Sequence, residues 1–335
     1  MSVTTPSHHD SRKDERNDGS ADAAMAVQTD PDTDLRPDLR EYAQVELRED
    51  APPDSCKDAP VDGRNDRRKD GRGAFVIVLA SHKGGVTKTT STANLGAMFA
   101  EAGYRVLVVD CDPQANLSET FGWDEYRLGV RLEELLLRPE AARRHAPPAA
   151  IQKQNAPGLR WRKRLRIIPA TGRLANFAAD VPEFGGEGHE TLLRDVLEPL
   201  RAQFDVILLD TPPGLGTLAG MALIAADGLL IPALAADLDV WGAAKVYDLV
   251  ENVAPSLRVL GVLMAASESR WRITRELTSQ MATDSMRVLP VRIPRAVRVA
   301  SAPRYGAPTA VLEPDSMVSH AYRRLAGHLV TEIGL

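Results

Sequence analysis

The residues with the clearest chemical signature lie between positions 82 and 90, where the sequence reads HKGGVTKTT. Gly84 and Gly85 permit a tight loop whose backbone N–H groups can face a phosphate chain. Lys88 supplies a cation, and the hydroxyl of Thr89 is a ligand that suits Mg²⁺. The helix-like segment that opens at Lys88 would add its positive N-terminal end to the same anion site. We therefore predict a nucleotide-phosphate loop here, in preference to a glycine-rich turn that holds lysine and threonine by chance.

Three aspartates follow apolar runs and are candidates for holding a metal ion or orienting a water molecule. Asp110 and Asp112 lie two positions apart in VVDCD, so both would project from one side of an extended strand end. Asp210 ends the run DVILLD. A pair such as Asp110 and Asp112 can also serve only to cap a helix. With Lys88 and Thr89, the three carboxylates suffice for phosphoryl transfer, which depends mainly on positioning and charge neutralisation.

The elements that must position these residues are short apolar runs that alternate with longer amphipathic stretches. The runs do not alternate polar with apolar residues, which is typical of strands buried on both faces of a parallel sheet. They span 74–80, 105–110, 164–170, 205–210, 228–233 and 258–266, and helix-like segments span 88–102, 189–203, 217–226, 238–253 and 271–283. The order predicts an α/β fold with a doubly wound, mostly parallel sheet flanked by helices, in which ligands bind at the carboxyl ends of the strands.

Charge and composition divide the chain in two. Residues 1–73 hold 12 Lys or Arg and 18 Asp or Glu, whereas residues 74–335 hold 29 and 28. The first segment has few large apolar residues with which to offset the conformational entropy lost on folding. We predict a disordered charged tail over 1–73 and an ATPase domain over 74–335.

Other features of the sequence narrow the class of protein. The two cysteines, Cys56 and Cys111, offer neither a disulfide framework nor a metal-ligand set. The N-terminus lacks the apolar core of a secretory signal, and no apolar run approaches the ~20 residues that cross a bilayer. We expect a cytoplasmic protein with no membrane partner.

The segment KGGVTKTT resembles the deviant Walker A motif of the ParA/MinD family of P-loop ATPases, in which a second lysine, here Lys83, precedes the usual one. The segments DCDPQAN and TPPG resemble the switch regions of that family, and residues 292–329 resemble the ParA signature around IPR and AY. One departure is Thr87, where the family usually has glycine. Because a β-branched residue resists positive φ, the loop must either hold φ negative there or carry strain. Two further departures are Ser301 and Ala307.

The resemblance implies ATP and Mg²⁺ as cofactors and a role for each motif. Lys83, reaching across a dimer interface, Lys88 and Asp112, which would orient the attacking water, are the implied catalytic residues. Thr89, Asp110 and Asp210 would lie at the metal ion. Contacts to ATP are implied for Lys83, Gly84, Gly85, Val86, Thr87, Lys88, Thr89, Thr90, Pro294 and Arg295.

The same resemblance implies partners. Members of the family form ATP-bound sandwich dimers, bind DNA non-specifically and are released when a ParB-like centromere-binding protein stimulates hydrolysis. Residues 270–304 hold eight arginines and two acids, a plausible phosphate-backbone footprint on a nucleoid-associated protein. The candidates are Arg270, Arg272, Arg295 and Arg298. The alternative is a solvated helix face with structural ion pairs.

Two other functions remain compatible with the ATPase motifs. A ParA-like positioner of a protein cargo would use the same nucleotide site. A MinD-like membrane switch would need a terminal amphipathic helix with a lysine-rich rim. The final segment, AYRRLAGHLVTEIGL, is instead typical of a packing helix. Residues 1–73 lack the apolar periodicity of a helix-turn-helix, so specific operator binding is not expected.

Overall fold

The computed structural model describes residues 73–123, 130–137, 152–153, 164–181, 188–234, 240–267, 286–295 and 305–335. The predicted tail, apart from Gly73, and the predicted helix 271–283 lie outside these residues. So do Arg270, Arg272 and Arg298, three of the four candidate DNA contacts.

Within the described residues the core is an eight-stranded sheet with the order β3-β4-β2-β5-β1-β6-β7-β8. The strands are β1 (Phe75–Leu79), β2 (Val106–Asp110), β3 (Gln152–Lys153), β4 (Leu165–Ile168), β5 (Val206–Asp210), β6 (Gly228–Leu234), β7 (Arg258–Ser267) and β8 (Val288–Pro294). All neighbours are parallel except the short β3, which is antiparallel to β4. The predicted doubly wound, mostly parallel sheet is confirmed. The analysis of apolar runs did not predict β3 or β8.

The helices cover both faces of this sheet. They are α1 (Lys88–Glu101), α2 (Asn116–Thr120), α3 (Leu132–Leu137), α4 (Arg173–Asp180), α5 (Leu192–Leu197, continued by a 3₁₀ turn at Glu198–Leu200), α6 (Thr217–Ala225), α7 (Val240–Val253), α8 (Thr309–Leu312) and α9 (Met317–Ile333). Because successive side chains of a strand point to opposite faces, Val76 and Val78 join the core under α3 to α7. Phe75, Ile77 and Leu79 join the core under α1, α8 and α9.

Ion pairs hold the segments at the amino-terminal ends of the central strands. Arg105, just before β2, donates from Nη2 to Asp205 Oδ1 over 2.6 Å, and its backbone N–H donates to Asp205 Oδ2 over 2.7 Å. Arg201 donates to Asp227 Oδ2 over 2.7 Å, and the same oxygen accepts from the Val76 backbone N–H over 2.8 Å. These contacts fix the starts of the central strands.

Two close approaches set the positions of neighbouring segments. A Cβ on Gly96 would lie 2.9 Å from Val108 Cγ1, so glycine lets α1 pack directly on β2. A Cβ on Gly122 would lie 3.4 Å from the Gly306 Cα, so the backbones after α2 and before α8 are in contact. Both Gly122 and Gly306 have positive φ.

Candidate functional site

The loop between β1 and α1 has the backbone geometry of an anion-binding concavity. Gly85 and Thr87 have φ of 74° and 71°, whereas Val86 between them keeps a negative φ. Alternation of this kind directs successive backbone N–H groups toward one point. The N–H groups of Gly84, Gly85 and Val86 donate to no acceptor within the described residues. The glycines are exposed and Val86 is buried, so the loop is anchored on its inner side and open on its outer side.

Thr87 has a strained backbone conformation with positive φ, which is one of the two outcomes that the sequence predicted. It is the N-cap of α1 and adopts a left-handed conformation with φ 71° and ψ 19°. For an L-residue with a Cβ this conformation costs about 1–2 kcal/mol, and a β-branched residue is an outlier there. Its Oγ1 lies 3.4 Å from Ser91 Oγ, and its carbonyl accepts from the Ser91 backbone N–H over 2.8 Å.

The two lysines of the loop lie in different environments. Lys88 is only 6% exposed, and its Nζ donates to Ser81 Oγ over 3.1 Å and to the Lys83 carbonyl over 3.3 Å. Burial lowers the pKa of Lys88, although the charges of Asp210 and Asp112 raise it. Lys83 is exposed. Lys88 therefore lies in the interior of the site, and Lys83 lies at its surface.

The two strand-end aspartates are neighbours because of the sheet register. Asp110 and Asp210 end β2 and β5 and are paired across these strands. Both are fully buried. Burial, with the nearby charge of Asp110, raises the pKa of Asp210 well above its usual range, and Thr89 and Lys88 act in the opposite direction. Burial also raises the pKa of Asp110, to about 7. Two adjacent carboxyl groups without a full countercharge are a favourable place for a cation.

The carboxylates differ in how fully they are hydrogen-bonded. Asp110 accepts from the backbone N–H and the hydroxyl of Ser118, over 2.8 and 2.7 Å, and from the Asp112 N–H over 3.1 Å. Asp112 Oδ1 accepts from the Gln114 N–H over 2.9 Å. Asp210 Oδ1 accepts from Thr92 Oγ1 over 3.4 Å, and its Oδ2 has no hydrogen-bond partner in the part of the chain that the structure describes. Asp210 thus retains an oxygen for a ligand.

Further contacts join the loops that surround the phosphate loop. Thr211 Oγ1, directly after β5, donates to the Leu79 carbonyl at the end of β1 over 2.8 Å. A Cβ on Gly84 would lie 3.6 Å from Pro213 Cβ, so the TPPG segment lies against the glycines. Thr89 and Thr90 are half-buried at the start of α1. The structure thus brings together the residues predicted after β1, β2 and β5.

The predicted residues at the C-terminal end of β8 are only partly described. Pro294 ends β8 and is half-buried, and Arg295 after it is exposed. Of the arginines between 270 and 304, Arg287 donates to both Glu332 oxygens over 2.8 Å, and Arg258 also binds this carboxylate. The pKa of Glu332 is lowered to about 2, chiefly by Arg287. Arg287 therefore has a structural partner.

Sequence reasoning missed the polar residues that connect α1 to later segments. Ser91 Oγ lies 3.0 Å from the Tyr322 hydroxyl on α9, and Asn94 Oδ1 accepts from the Ala310 N–H over 2.6 Å. Ser81 and Ser118, which bind Lys88 and Asp110, were also missed. The available signal was the polar face of α1, where Ser91, Thr92 and Asn94 are at most 1% exposed.

Comparison with known proteins identifies the family. A family model described as an AAA domain matches residues 74–259. The chromosome partitioning protein ParA of Myxococcus xanthus is 31% identical over 260 residues, 76% of this chain and 87% of that protein. The chain belongs to the ParA family. The chromosome-partitioning ATPase Soj of Thermus thermophilus is 34% identical over 265 residues, 77% of this chain and 96% of that protein. The resemblance read from the ParA motifs is confirmed.

One solved structure extends the comparison to bound ligands. A Mycobacterium smegmatis protein described as cobyrinic acid a,c-diamide synthase, with bound ADP and magnesium, superposes with a TM-score of 0.62 and 29% identity. The match covers 77% of this chain and 94% of that one. The fold of this ParA-family chain is thus that of a nucleotide-binding P-loop protein.

The side chains of the site fit a magnesium–nucleotide complex. Among the described residues no group of three or more His, Cys, Asp or Glu side chains is arranged to hold a metal ion. Mg²⁺ does not need such a cage, since it usually takes one or two carboxylates together with phosphate oxygens and water. The unpartnered Asp210 oxygen, the free loop N–H groups and the buried Lys88 match these requirements.

Proposed function

We propose that this chain is an ATP-dependent DNA-partitioning ATPase. With Mg-ATP bound it forms a sandwich dimer that binds DNA non-specifically, and a ParB-like centromere-binding protein stimulates hydrolysis and releases it. The nucleoid is its site of action. The relatives named for chromosome partitioning in Myxococcus xanthus and Thermus thermophilus support this role.

The observation that carries the proposal is that two features lie together at the carboxyl ends of the strands. One is the buried pair Asp110 and Asp210, whose charge is not fully compensated, and the other is the phosphate loop, whose backbone N–H groups are open to a ligand. The loop N–H groups and Lys88 would bind the phosphates. Thr89 and Asp210 would hold Mg²⁺, with Asp110 supporting Asp210 from the adjacent strand. Mg²⁺ would neutralise charge on the phosphates, and Asp112 would orient the attacking water. Catalysis would then rest on positioning and electrostatics.

Dimer formation is proposed from the position of Lys83. Its side chain is exposed beside two exposed glycines, whereas Lys88 of the same loop is buried. A second cation at the surface of a phosphate loop is suited to the nucleotide of another copy. Association would then depend on the γ-phosphate, because without it the two Lys83 side chains add repulsion at the interface.

The proposed DNA contacts are arginines of the segment 270–304. Arg295 is exposed, and Arg270, Arg272 and Arg298 complete the proposed footprint. If the contacts are to phosphates, log affinity falls steeply and linearly with log salt concentration. We expect filter-binding or anisotropy titrations to show a steep salt slope with ATP and no retention with ADP or without nucleotide.

The decisive variant is Lys88→Gln, which replaces the buried cation with a neutral polar side chain that is one atom shorter. It should abolish ATP-dependent DNA retention. Lys245→Gln on α7, a lysine outside the site, is the matched control and should bind DNA as the wild type does. ATP-dependent DNA binding by Lys88→Gln would overturn the mechanism.

Dimerisation is tested by blocking hydrolysis. Asp112→Ala should accumulate as a dimer in saturating Mg-ATP, measured by light scattering after size exclusion. The double variant Lys83→Ala/Asp112→Ala should remain monomeric under the same conditions. A monomeric Asp112→Ala protein that still binds ATP would remove the basis for the dimer.

A MinD-like membrane switch is disfavoured by the packing of α9. Its apolar face, which includes Leu325, Leu329 and Ile333, is buried against the core under α1 and β8. In the described part of the chain no helix has both the length and the apolar character of a membrane span. We expect no ATP-dependent co-sedimentation with anionic liposomes.

A further inference from the structure

Three hydroxyl groups connect the phosphate loop to the C-terminal helix. Thr87 Oγ1 lies 3.4 Å from Ser91 Oγ, one helical turn later, and Ser91 Oγ lies 3.0 Å from the Tyr322 hydroxyl. Ser91 and Tyr322 are both fully buried. We refer to Thr87, Ser91 and Tyr322 as the hydroxyl chain. Its link between Ser91 and Tyr322 joins positions that are 231 residues apart in sequence.

Thr87, the end of the hydroxyl chain that lies in the phosphate loop, is the residue whose conformation is strained. Thr87 needs a left-handed conformation to continue the alternation begun at Gly85, and it lacks the freedom of glycine. A left-handed residue with a Cβ persists only when its surroundings determine it. The contacts that hold Thr87 are its carbonyl bond from the Ser91 N–H and the hydroxyl contact with Ser91. The first is an ordinary helix bond, which any residue can make, whereas the second requires a hydroxyl at position 87.

The other end of the hydroxyl chain, Tyr322, is held in the core. Among the described residues, Tyr322 is the largest fully buried side chain, and it lies in the core under α1 and α9. Burial raises the pKa of the Tyr322 hydroxyl, which therefore stays protonated and able to donate. A buried hydroxyl without a partner costs free energy, so Ser91 and Tyr322 hold each other in place.

We propose that Thr87 is a positioning residue whose hydroxyl is held through Ser91 by Tyr322, so that α9 maintains the loop conformation that binds the phosphates of ATP. The proposal rests on the proposed ATPase function. Helix α9 would thus affect nucleotide affinity. Among the described residues, its side chains reach the loop only through Ser91.

The test uses tyrosine-to-phenylalanine substitution in two backgrounds of the full chain. In the wild-type background, Tyr322→Phe should raise the Kd for Mg-ATP about fivefold, the size expected for one lost hydrogen bond. In the Thr87→Gly background, adding Tyr322→Phe should change Kd by less than about twofold, because glycine needs no hydroxyl to hold positive φ. Tyr247→Phe, on α7, is the matched control and should not change Kd.

Three further variants separate positioning from stability. Thr87→Val keeps the shape but removes the hydroxyl and should weaken ATP binding, whereas Thr87→Ser keeps the hydroxyl and should restore most of the affinity. Ser91→Ala interrupts the chain at its middle and should match Tyr322→Phe. Thermal unfolding without nucleotide, measured on every variant, shows how much of each effect is loss of folding.

The outcomes distinguish this inference from the proposed function. Equal effects of Tyr322→Phe in both backgrounds would overturn the hydroxyl chain and leave the ATPase proposal intact. Equal affinities of Thr87→Val and Thr87→Ser would do the same. Failure of the wild-type chain to bind Mg-ATP would overturn both. A coupled loss seen only when Thr87 is present would support the chain.

Discussion

The aspartates at the two ends of strand β5, Asp205 just before it and Asp210 as its last residue, differ in how they are paired. Asp205, at the amino edge of the sheet, is held by the guanidinium and the backbone N–H of Arg105. Asp210, at the carboxyl end of the strand, is fully buried beside Asp110, and one of its oxygens has no hydrogen-bond partner among the described residues. Asp205 is therefore paired with a countercharge, whereas Asp210 keeps an oxygen that a ligand could use. A stabilising contact is therefore expected at one end and a binding contact at the other.

The largest effect is expected from Asp210→Asn. It replaces a fully buried carboxyl group, whose pKa burial raises well above its usual range, with a neutral amide. Because such a group destabilises the fold at pH values above its unfolded pKa, the variant without nucleotide should unfold at a higher temperature than the wild type at pH 8. Its affinity for Mg-ATP should fall about 100-fold, because a proposed metal ligand is lost. Calorimetry with and without Mg-ATP measures both quantities. A variant that is less stable alone and still protected by Mg-ATP would contradict the assignment.

The matched substitution at the other end, Asp205→Asn, should have the reverse pattern. It breaks a two-point ion pair and leaves Arg105 unpaired, so we expect a loss of about 2 kcal/mol in the free energy of unfolding. Mg-ATP should still stabilise the variant by as much as it stabilises the wild type. Urea unfolding at several nucleotide concentrations tests this. If Mg-ATP no longer stabilised this variant against unfolding, the two ends of the strands would not be independent.

Glu101 provides a smaller and pH-dependent test at the amino edge. It is the last residue of α1, where burial raises its pKa to about 7 and Arg323 lowers it less. Between pH 4.5 and 7 the folded chain holds a proton that the unfolded chain has lost, so stability falls as pH rises. Glu101→Gln should be more stable than the wild type at pH 8 by about 1 kcal/mol or less, since solvent screens the charge of a side chain that is only partly buried. The difference should disappear near pH 4.5, and thermal unfolding at both pH values measures it.

Much of the fold and the residues of the candidate site followed from the sequence because they depend on local patterns. Apolar runs predicted β1, β2, β4, β5, β6 and β7, and the glycines and Lys88 predicted the loop between β1 and α1. Strand β8 was missed because Val288–Pro294 is buried, half-buried and exposed by turns, unlike the continuous runs of the central strands.

The conformation of Thr87 could not be predicted, because two physical preferences conflict there. A β-branched residue favours negative φ, and the alternating loop requires positive φ. The contacts around Thr87 come from Ser91 and, through it, from Tyr322, whose place beside α1 depends on tertiary packing. Local rules cannot anticipate a partner that the fold brings from the other end of the domain.

The contact between Gly122 and Gly306 has a consequence for motion. The two backbones meet without side chains between them, so any shift of the segment that follows Asp112 and α2 must push the segment before α8 or separate from it. A pair of spectroscopic probes at Trp123 and Tyr305, the neighbours of these glycines, would therefore register rearrangement beyond β2 as a change in one short distance.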